Sequence, residues 1–323
     1  VANELRLVFR APLHWQALLG FLAPRAIPGV ELVAGLAYRR VAEGGALVEV
    51  TRSAAKAELQ MVVHGKPPVR LSDFAARARR LFDLSADPAR VDADLRADPL
   101  LRRLIARRPG LRLPGAWDPF ETAVRVILGQ QVSVAAATTL AGRLASTFGE
   151  RLPEAAPQNE SARGEGALRE NAPRRNGRQS RAMHGVRTLS RQFPGPERLA
   201  EADVSRIGLP RNRALALRGF ARAVCEGALC LSGARPWAES EAALRAIPGV
   251  GDWTAATIAL RALGAPDAFP AGDLGPRRAL AAGGALPTPA ALLHRAEAWH
   301  PWRGYATIHL WTANQAQRKR RTQ

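Results

Sequence analysis

The chain has 323 residues, 47% apolar and 23% charged, which exceeds what one hydrophobic core usually organises and reads as globular. It shows no uncharged apolar run long enough to span a bilayer, no secretory signal and only two cysteines, Cys225 and Cys230. These features exclude a disulfide scaffold, a four-cysteine zinc site and a four-cysteine iron–sulfur cluster, and lead us to expect a cytosolic protein with neither a membrane span nor an export signal. Lys and Arg outnumber Asp and Glu by 47 to 28, a net charge of +19. Such an excess suits a polyanion, nucleic acid foremost, but Lys56, Lys66 and Lys319 are the only lysines, as an Arg-rich composition bias would also produce.

Strand-period alternation over 5–9, 46–50 and 59–63, with helical stretches at 14–21 and 72–82, predicts a small antiparallel sheet with helices on one face. Past Asp92 the period is helical, punctuated by Gly, Pro, Ser and Asp. The fold class is therefore α+β, with an N-terminal α+β domain over 1–90 and an all-α region over 91–323.

Asp118-Pro119-Phe120-Glu121 places a capping Asp, a Pro at the first helical position and a Glu at the third, the pattern of a capping box. The apolar stripe Phe120, Val124, Ile127, Leu128 breaks at Gly129-Gln130-Gln131, and Ser133 caps a second helix running to about Phe148. Two amides at such a bend are either plain surface-turn residues or functional ones. Residues 155–191 are rich in Pro, Gly, Asn, Ser, Gln, Arg and Glu, and are expected to be a disordered basic insertion. The last residues, 318–323, read as a basic tail.

Between helical segments at 239–246 and 252–263 lies Ile247-Pro248-Gly249-Val250-Gly251. Glycines there permit φ > 0 and leave room for backbone N–H groups at the next helix's N-terminus to approach a phosphate, the physics of a helix-hairpin-helix turn. An ordinary helix–helix corner uses the same residues, so the turn alone decides nothing. Asp273, in Phe269-Pro270-Ala271-Gly272-Asp273, begins another helix and by itself reads as a plain N-cap.

Taken together, 128–133 (Leu-Gly-Gln-Gln-Val-Ser), 247–255 and 269–273 resemble the helix-hairpin-helix DNA glycosylases in order and spacing. Within these the chain is similar to the AlkA type, 3-methyladenine DNA glycosylase II, a likeness extended by 19–26, 80–84, 301–306 and 309–311. The resemblance implies an N-terminal antiparallel sheet with helices followed by an all-α glycosylase domain in two subdomains. It implies a base-excision enzyme that flips an alkylated purine out of double-stranded DNA and hydrolyses its N-glycosidic bond. Asp273 falls on the family's catalytic aspartate, where a fixed anion stabilises the oxocarbenium charge that grows on the deoxyribose.

By the same resemblance Phe21, Trp253 and Trp311 line the base pocket, with Gln130 supporting the active site or contacting the lesion strand, and Gln131 stands at the wedge that fills the duplex gap. Pro248, Gly249, Val250, Gly251 and Thr254 form the DNA-binding hairpin. No cofactor is required, and backbone carbonyls of Arg245, Ile247 and Val250 would hold a structural Na+ or K+. Relatives with lyase activity carry a Schiff-base lysine where this chain has Trp253, and an indole forms no imine, so a monofunctional enzyme is expected.

Thr257 departs from the tyrosine that AlkA-type pockets can carry, which bears on lesion preference. The expected partner is alkylated duplex DNA, with no membrane, and the protein is expected to act as a monomer. Val1 is not Met, which fits a chain preceded by an alkylation-response regulator, a fusion that occurs in this family. A noncatalytic lesion sensor is the alternative from another class, and a glycosylase for deaminated or oxidised bases the alternative among enzymes. His184, His294, His300 and His309 lack metal-ligand spacing and are expected to be structural, and both cysteines are expected to be buried small apolar residues.

Overall fold

The computed structural model describes residues 2–65, 69–152, 189–232, 237–281 and 285–321. Strands β1 (Ala2–Val8), β2 (Glu31–Ala34), β3 (Ala37–Val41), β4 (Leu47–Arg52) and β5 (Glu58–His64) form one antiparallel sheet in the order β1-β5-β4-β3-β2. Alternation decides which face is buried: Leu7, Val48, Val50, Leu59, Met61 and Val63 are all at most 1% exposed. They share a core with Leu18 and Leu19 of α1 (Trp15–Leu22) and with Phe74 and Ala78 of α2 (Leu71–Leu81).

β2 and β3 were not expected, because each carries a charge on its buried side. Glu31 accepts from Tyr38 Oη at 2.6 Å, from the Ile27 N–H at 3.1 Å and from Arg125 at 2.9 Å, while Arg40 donates to Glu121 at 2.8 Å. Mutual pairing offsets the cost of taking these ions out of water. The cluster joins the sheet to α5 (Pro119–Leu128). It also corrects the capping box: Asp118 accepts the Glu121 N–H at 2.9 Å, but the Glu121 carboxylate is buried with Arg40 rather than returned to the cap.

The remainder is helical: α3 (Pro88–Leu95), α4 (Pro99–Arg107), α5, α6 (Val134–Phe148), α7 (Pro196–Glu201), α8 (Arg211–Cys225), α9 (Trp237–Arg245), α10 (Asp252–Arg261), α11 (Leu274–Ala279), α12 (Pro289–Ala296) and α13 (Arg303–Arg321). Two cores organise it. The sheet, α1–α4 and the C-terminal residues Leu292, Trp299, Tyr305, Ile308 and Leu310 share one. Phe120, Leu144, Phe220, Leu244 and Ile258 centre the other, built from α5, α6, α8, α9 and α10 and reaching back to Ile27 and Val30. The chain thus leaves the first core at α5 and returns to it at the end of α10, where Leu260 packs.

Of the expected disordered insertion, residues 155–188 lie outside the described residues. Its last residues are held in place: the Ser190 and Arg191 N–H groups donate to Gly29 O at 2.8 and 3.0 Å, and Leu152 N–H donates to Ser190 O at 2.9 Å. The expected tail begins as helix, since α13 runs to Arg321, and 322–323 lie outside the described residues. The cysteines differ from expectation, for Cys225 is exposed and Cys230 half-buried. Cys225 ends α8 on a turn that leaves the second core. His184 also lies outside the described residues.

Candidate active site

Asp273 is the N-cap of α11, and its Oδ1 accepts the Gly275 N–H at 2.7 Å. An ordinary cap would stop there. This carboxylate also accepts two indole N–H groups, from Trp253 Nε1 to Oδ2 and from Trp311 Nε1 to Oδ1, each at 2.9 Å. Trp253 lies in the first turn of α10 and Trp311 within α13, so three separate elements converge on one half-buried anion. Charge-assisted bonds to both oxygens fix the orientation of the group.

Phe21 stacks on Trp311 with ring centroids 6.1 Å apart and an interplanar angle of 19°. Trp253 packs on the second core, Phe21 and Trp311 on the first, so the site straddles the two. Thr257 is buried and turns its hydroxyl onto Trp253 O at 2.6 Å, adding no aromatic surface. Sequence reasoning missed three participants. Gly275 leaves the room that Trp311 occupies: a Cβ there would fall 2.4 Å from Trp311 Cδ1. Arg25 and Arg261 place their guanidinium carbons 3.8 and 4.6 Å from the Phe21 ring centroid. The spacing Phe21 to Arg25, four residues apart from a helix into its exit turn, was the available signal.

Between α9 and α10 the hairpin exposes Pro248, Gly249 and Gly251 while Ile247 and Val250 anchor it in the second core. Gly249 has φ +88°, a left-handed conformation that a side chain would strain. Gly251 is the N-cap of α10, whose first N–H groups lack helical partners and face the turn. Arg245 pairs with Asp252 at 3.1 Å and with Glu241 at 2.9 Å across the hairpin's base.

Gln130 donates Nε2 to Gly249 O at 2.8 Å and to the buried Thr254 Oγ1 at 2.9 Å, which braces the loop after α5 against the hairpin. Its neighbour Gln131 is exposed and has φ +55°, a conformation uncommon outside glycine. Val132 and Val134 beside it are 37% and 40% exposed, so this loop presents apolar surface together with an amide. Among the described residues no three His, Cys, Asp or Glu side chains gather as a metal site. His300 pairs with Asp267 at 2.9 Å and His309 is buried. No helix of the described residues is long and apolar enough to cross a membrane.

Residues 4–118 match the AlkA N-terminal domain, and residues 124–303 match the HhH-GPD superfamily of base excision DNA repair proteins. The chain is 36% identical to the DNA-3-methyladenine glycosylase 2 of Escherichia coli K12, over 94% of this chain and 95% of that protein. It is 37% identical to a "Probable bifunctional transcriptional activator/DNA repair enzyme AlkA" of Mycobacterium tuberculosis, over 96% of this chain; it spans 56% of that longer relative. Among solved structures, the 3-methyladenine DNA-glycosylase of Archaeoglobus fulgidus superposes with a TM-score of 0.72 at 20% identity, over 96% of this chain and 98% of that one. MBOgg1 in complex with a low affinity DNA ligand superposes with a TM-score of 0.69 at 20% identity, over 98% and 96%. Both likenesses establish a shared fold.

Proposed function

The chain belongs to the HhH-GPD superfamily of base excision DNA repair proteins, with an AlkA N-terminal domain ahead of it, and from that premise we propose that it is a monofunctional DNA glycosylase. It flips alkylated purines of the 3-methyladenine and 7-methylguanine type out of duplex DNA and hydrolyses the N-glycosidic bond, leaving an abasic site. The observation that carries this reading is the Asp273 carboxylate gripped by the Trp253 and Trp311 indole N–H groups.

As the base departs, positive charge builds on the deoxyribose ring. A preorganised anion stabilises that charge without reorganising at the moment of reaction, and Asp273 is held by three N–H donors in advance. Water then adds to the sugar carbon, with Asp273 placed to orient it. The same two indoles that fix the carboxylate are only half-buried and so leave aromatic surface for a flipped purine. Trp253 occupies the position at which lyase relatives carry lysine, so no imine forms with the sugar and the strand stays intact.

Affinity comes from the backbone. The exposed Pro248–Gly251 turn directs the N–H groups of the α10 N-terminus, helped by Thr254, at a phosphate. Carbonyls of Arg245, Ile247 and Val250 are neutral, hard oxygen donors suited to Na+ or K+; Ile247 O accepts the Val250 N–H at 3.0 Å and keeps a second lone pair. Such an ion would add positive charge beneath the phosphate. Gln131, strained and exposed between Val132 and the α5 terminus, enters the gap that the flipped nucleotide leaves.

The test is incubation of the purified protein with methylated duplex DNA and chromatographic identification of released bases. Release of 3-methyladenine or 7-methylguanine is expected. Tight binding without release of any base would replace this reading with that of a noncatalytic lesion sensor.

A further inference from the structure

α10, α13 and the loop at 264–272 converge on Asp273, and they also converge at a second joint around Asp267. There the Arg303 guanidinium grips the Asp267 carboxylate as a fork, Nε donating to Oδ1 at 2.9 Å and Nη2 to Oδ2 at 2.6 Å, while the Arg303 N–H reaches Oδ1 at 3.5 Å. His300 Nδ1 lies 2.9 Å from Oδ2, and Arg303 Nη1 donates to Glu297 at 3.3 Å. The Gly304 N–H donates to Pro266 O at 2.8 Å, and a Cβ on Gly304 would fall 2.6 Å from that oxygen and 2.5 Å from Leu260 Cδ1. The start of α13, the end of α10 and the loop therefore close on one another with no room for a side chain at Gly304. Burial alone would push Asp267 up, but the bonds from Arg303 and His300 hold it below the usual carboxylate range, so the pair is ionised at neutral pH.

Three spacers lead from this joint to the site. Trp253 stands seven residues before Leu260 on α10 and Trp311 seven residues after Gly304 on α13, each about 10 Å at the helical rise. Asp273 stands six residues after Asp267, along a loop tied by bonds from Ala268 N–H to Ala265 O, Ala271 N–H to Phe269 O and Asp273 N–H to Pro270 O. Phe269 of that loop meets Trp299 edge-on at 5.9 Å. Elements this stiff carry a shift at the joint to the carboxylate and to both indoles.

We propose that Asp267 and Arg303 are a positioning pair for base release: by fixing the start of α13 against the loop that carries Asp273, they set the register between the carboxylate and the Trp311 indole that grips it. This rests on the glycosylase reading. Neither side chain bonds Asp273, Trp253 or Trp311, so the pair acts through the elements it joins. A guanidinium–carboxylate fork fixes distance and plane together, which a point charge in the same place does not. The bonds at Asp273 do not replace it, because the Trp311 N–H lies wherever α13 carries it.

The experiment measures single-turnover base release from a duplex bearing one 7-methylguanine, by the parent protein, Asp267→Asn, Arg303→Met, Arg303→Lys and the double variant Asp267→Asn/Arg303→Met, with melting temperature and affinity for abasic-site DNA measured beside it. A misplacement of ~1 Å costs about 100-fold, and the Gly304–Pro266 bond limits the shift, so Asp267→Asn and Arg303→Met should each slow release about tenfold while affinity stays within about twofold of the parent's. Arg303→Lys should recover the rate in part, and the double variant should be no slower than the slower single one, as for two residues that act as a unit. Val48→Ala, which opens a cavity behind the sheet at a residue 1% exposed, supplies a protein of lowered melting temperature that should release base at the parent's rate. Should Arg303→Met not fold, Asp267→Asn and Arg303→Lys carry the test. Release within about twofold of the parent's by each variant of the pair, additive losses in the double variant, or equal slowing by Val48→Ala overturns the proposal. A parent that releases no base from this duplex or from methylated DNA overturns the glycosylase reading beneath it.

Discussion

Replacing Gly275 with Ala separates packing from propensity. Gly275 lies inside α11, where Ala is normally the better residue by about 1 kcal/mol. Here the added methyl would land 2.4 Å from Trp311 Cδ1, 2.9 Å from Trp311 Nε1 and 2.9 Å from Asp273 Oδ1. Ring and carboxylate cannot keep their places, and Trp311 cannot retreat without leaving its stack on Phe21. Overpacking of this kind costs roughly 1–3 kcal/mol, and displacing the indole also forfeits a charge-assisted bond worth about 1.5–3 kcal/mol. After the propensity gain, a net loss of about 1.5–5 kcal/mol remains, seen as a Tm lower by several degrees. Misplacing the carboxylate by even ~1 Å should slow base release about 100-fold while DNA affinity, which we assign to the hairpin, holds. Thermal denaturation and single-turnover base release check both effects. A Gly275→Ala protein as active as the parent and equally or more stable would refute the reasoning.

Gln130→Ala removes both bonds that tie the loop after α5 to Gly249 and Thr254, so affinity for abasic-site DNA should weaken about tenfold; the slope of that affinity against salt should not change if no phosphate contact is lost. Burial, with Arg108 nearby, holds His309 at about 4 in the folded protein, below its usual 6.5. The folded state therefore binds fewer protons than the unfolded one, so this stabilising contribution is full above about 6.5 and disappears as pH falls toward 4. Melting curves from pH 7 to 4.5 should show a shallower loss in His309→Leu than in the parent. Leu152 N–H and Ser190 O are 2.9 Å apart, so a short Gly/Ser linker in place of 153–188 should span the gap, with melting temperature and base release within experimental scatter of the parent.

The strands at 5–9, 46–50 and 59–63 were legible because one apolar face alternates with one polar face. β2 and β3 were not, since Glu31 and Arg40 sit on the buried side and invert the pattern that alternation relies on. The same ion cluster explains the capping motif at 118–121: Asp118 behaves as its position implies, while Glu121 answers to Arg40, which lies 81 residues away in sequence and is invisible to a local reading. The turn at Pro248–Gly251 and the cap at Asp273 were legible as local structure, and only the family resemblance made their residues candidates for a site. What sequence could not show is that indoles from two helices bond the Asp273 oxygens, or that a glycine two residues on must be small to allow it. Arg25 and Arg261 escaped notice for a different reason, since in a chain with 47 Lys and Arg a single arginine carries little information.

The most direct test of the mechanism uses an end-labelled duplex with one 7-methylguanine, treated with the parent protein or with Asp273→Asn and analysed before and after alkali, with borohydride present in a parallel reaction. Strand breaks should arise only after alkali and only with the parent, borohydride should trap no covalent complex, and Asp273→Asn should bind the duplex while releasing base slower by orders of magnitude. Breaks without alkali, a trapped complex, or base release by Asp273→Asn at the parent's rate would contradict hydrolysis by a carboxylate held between two indoles.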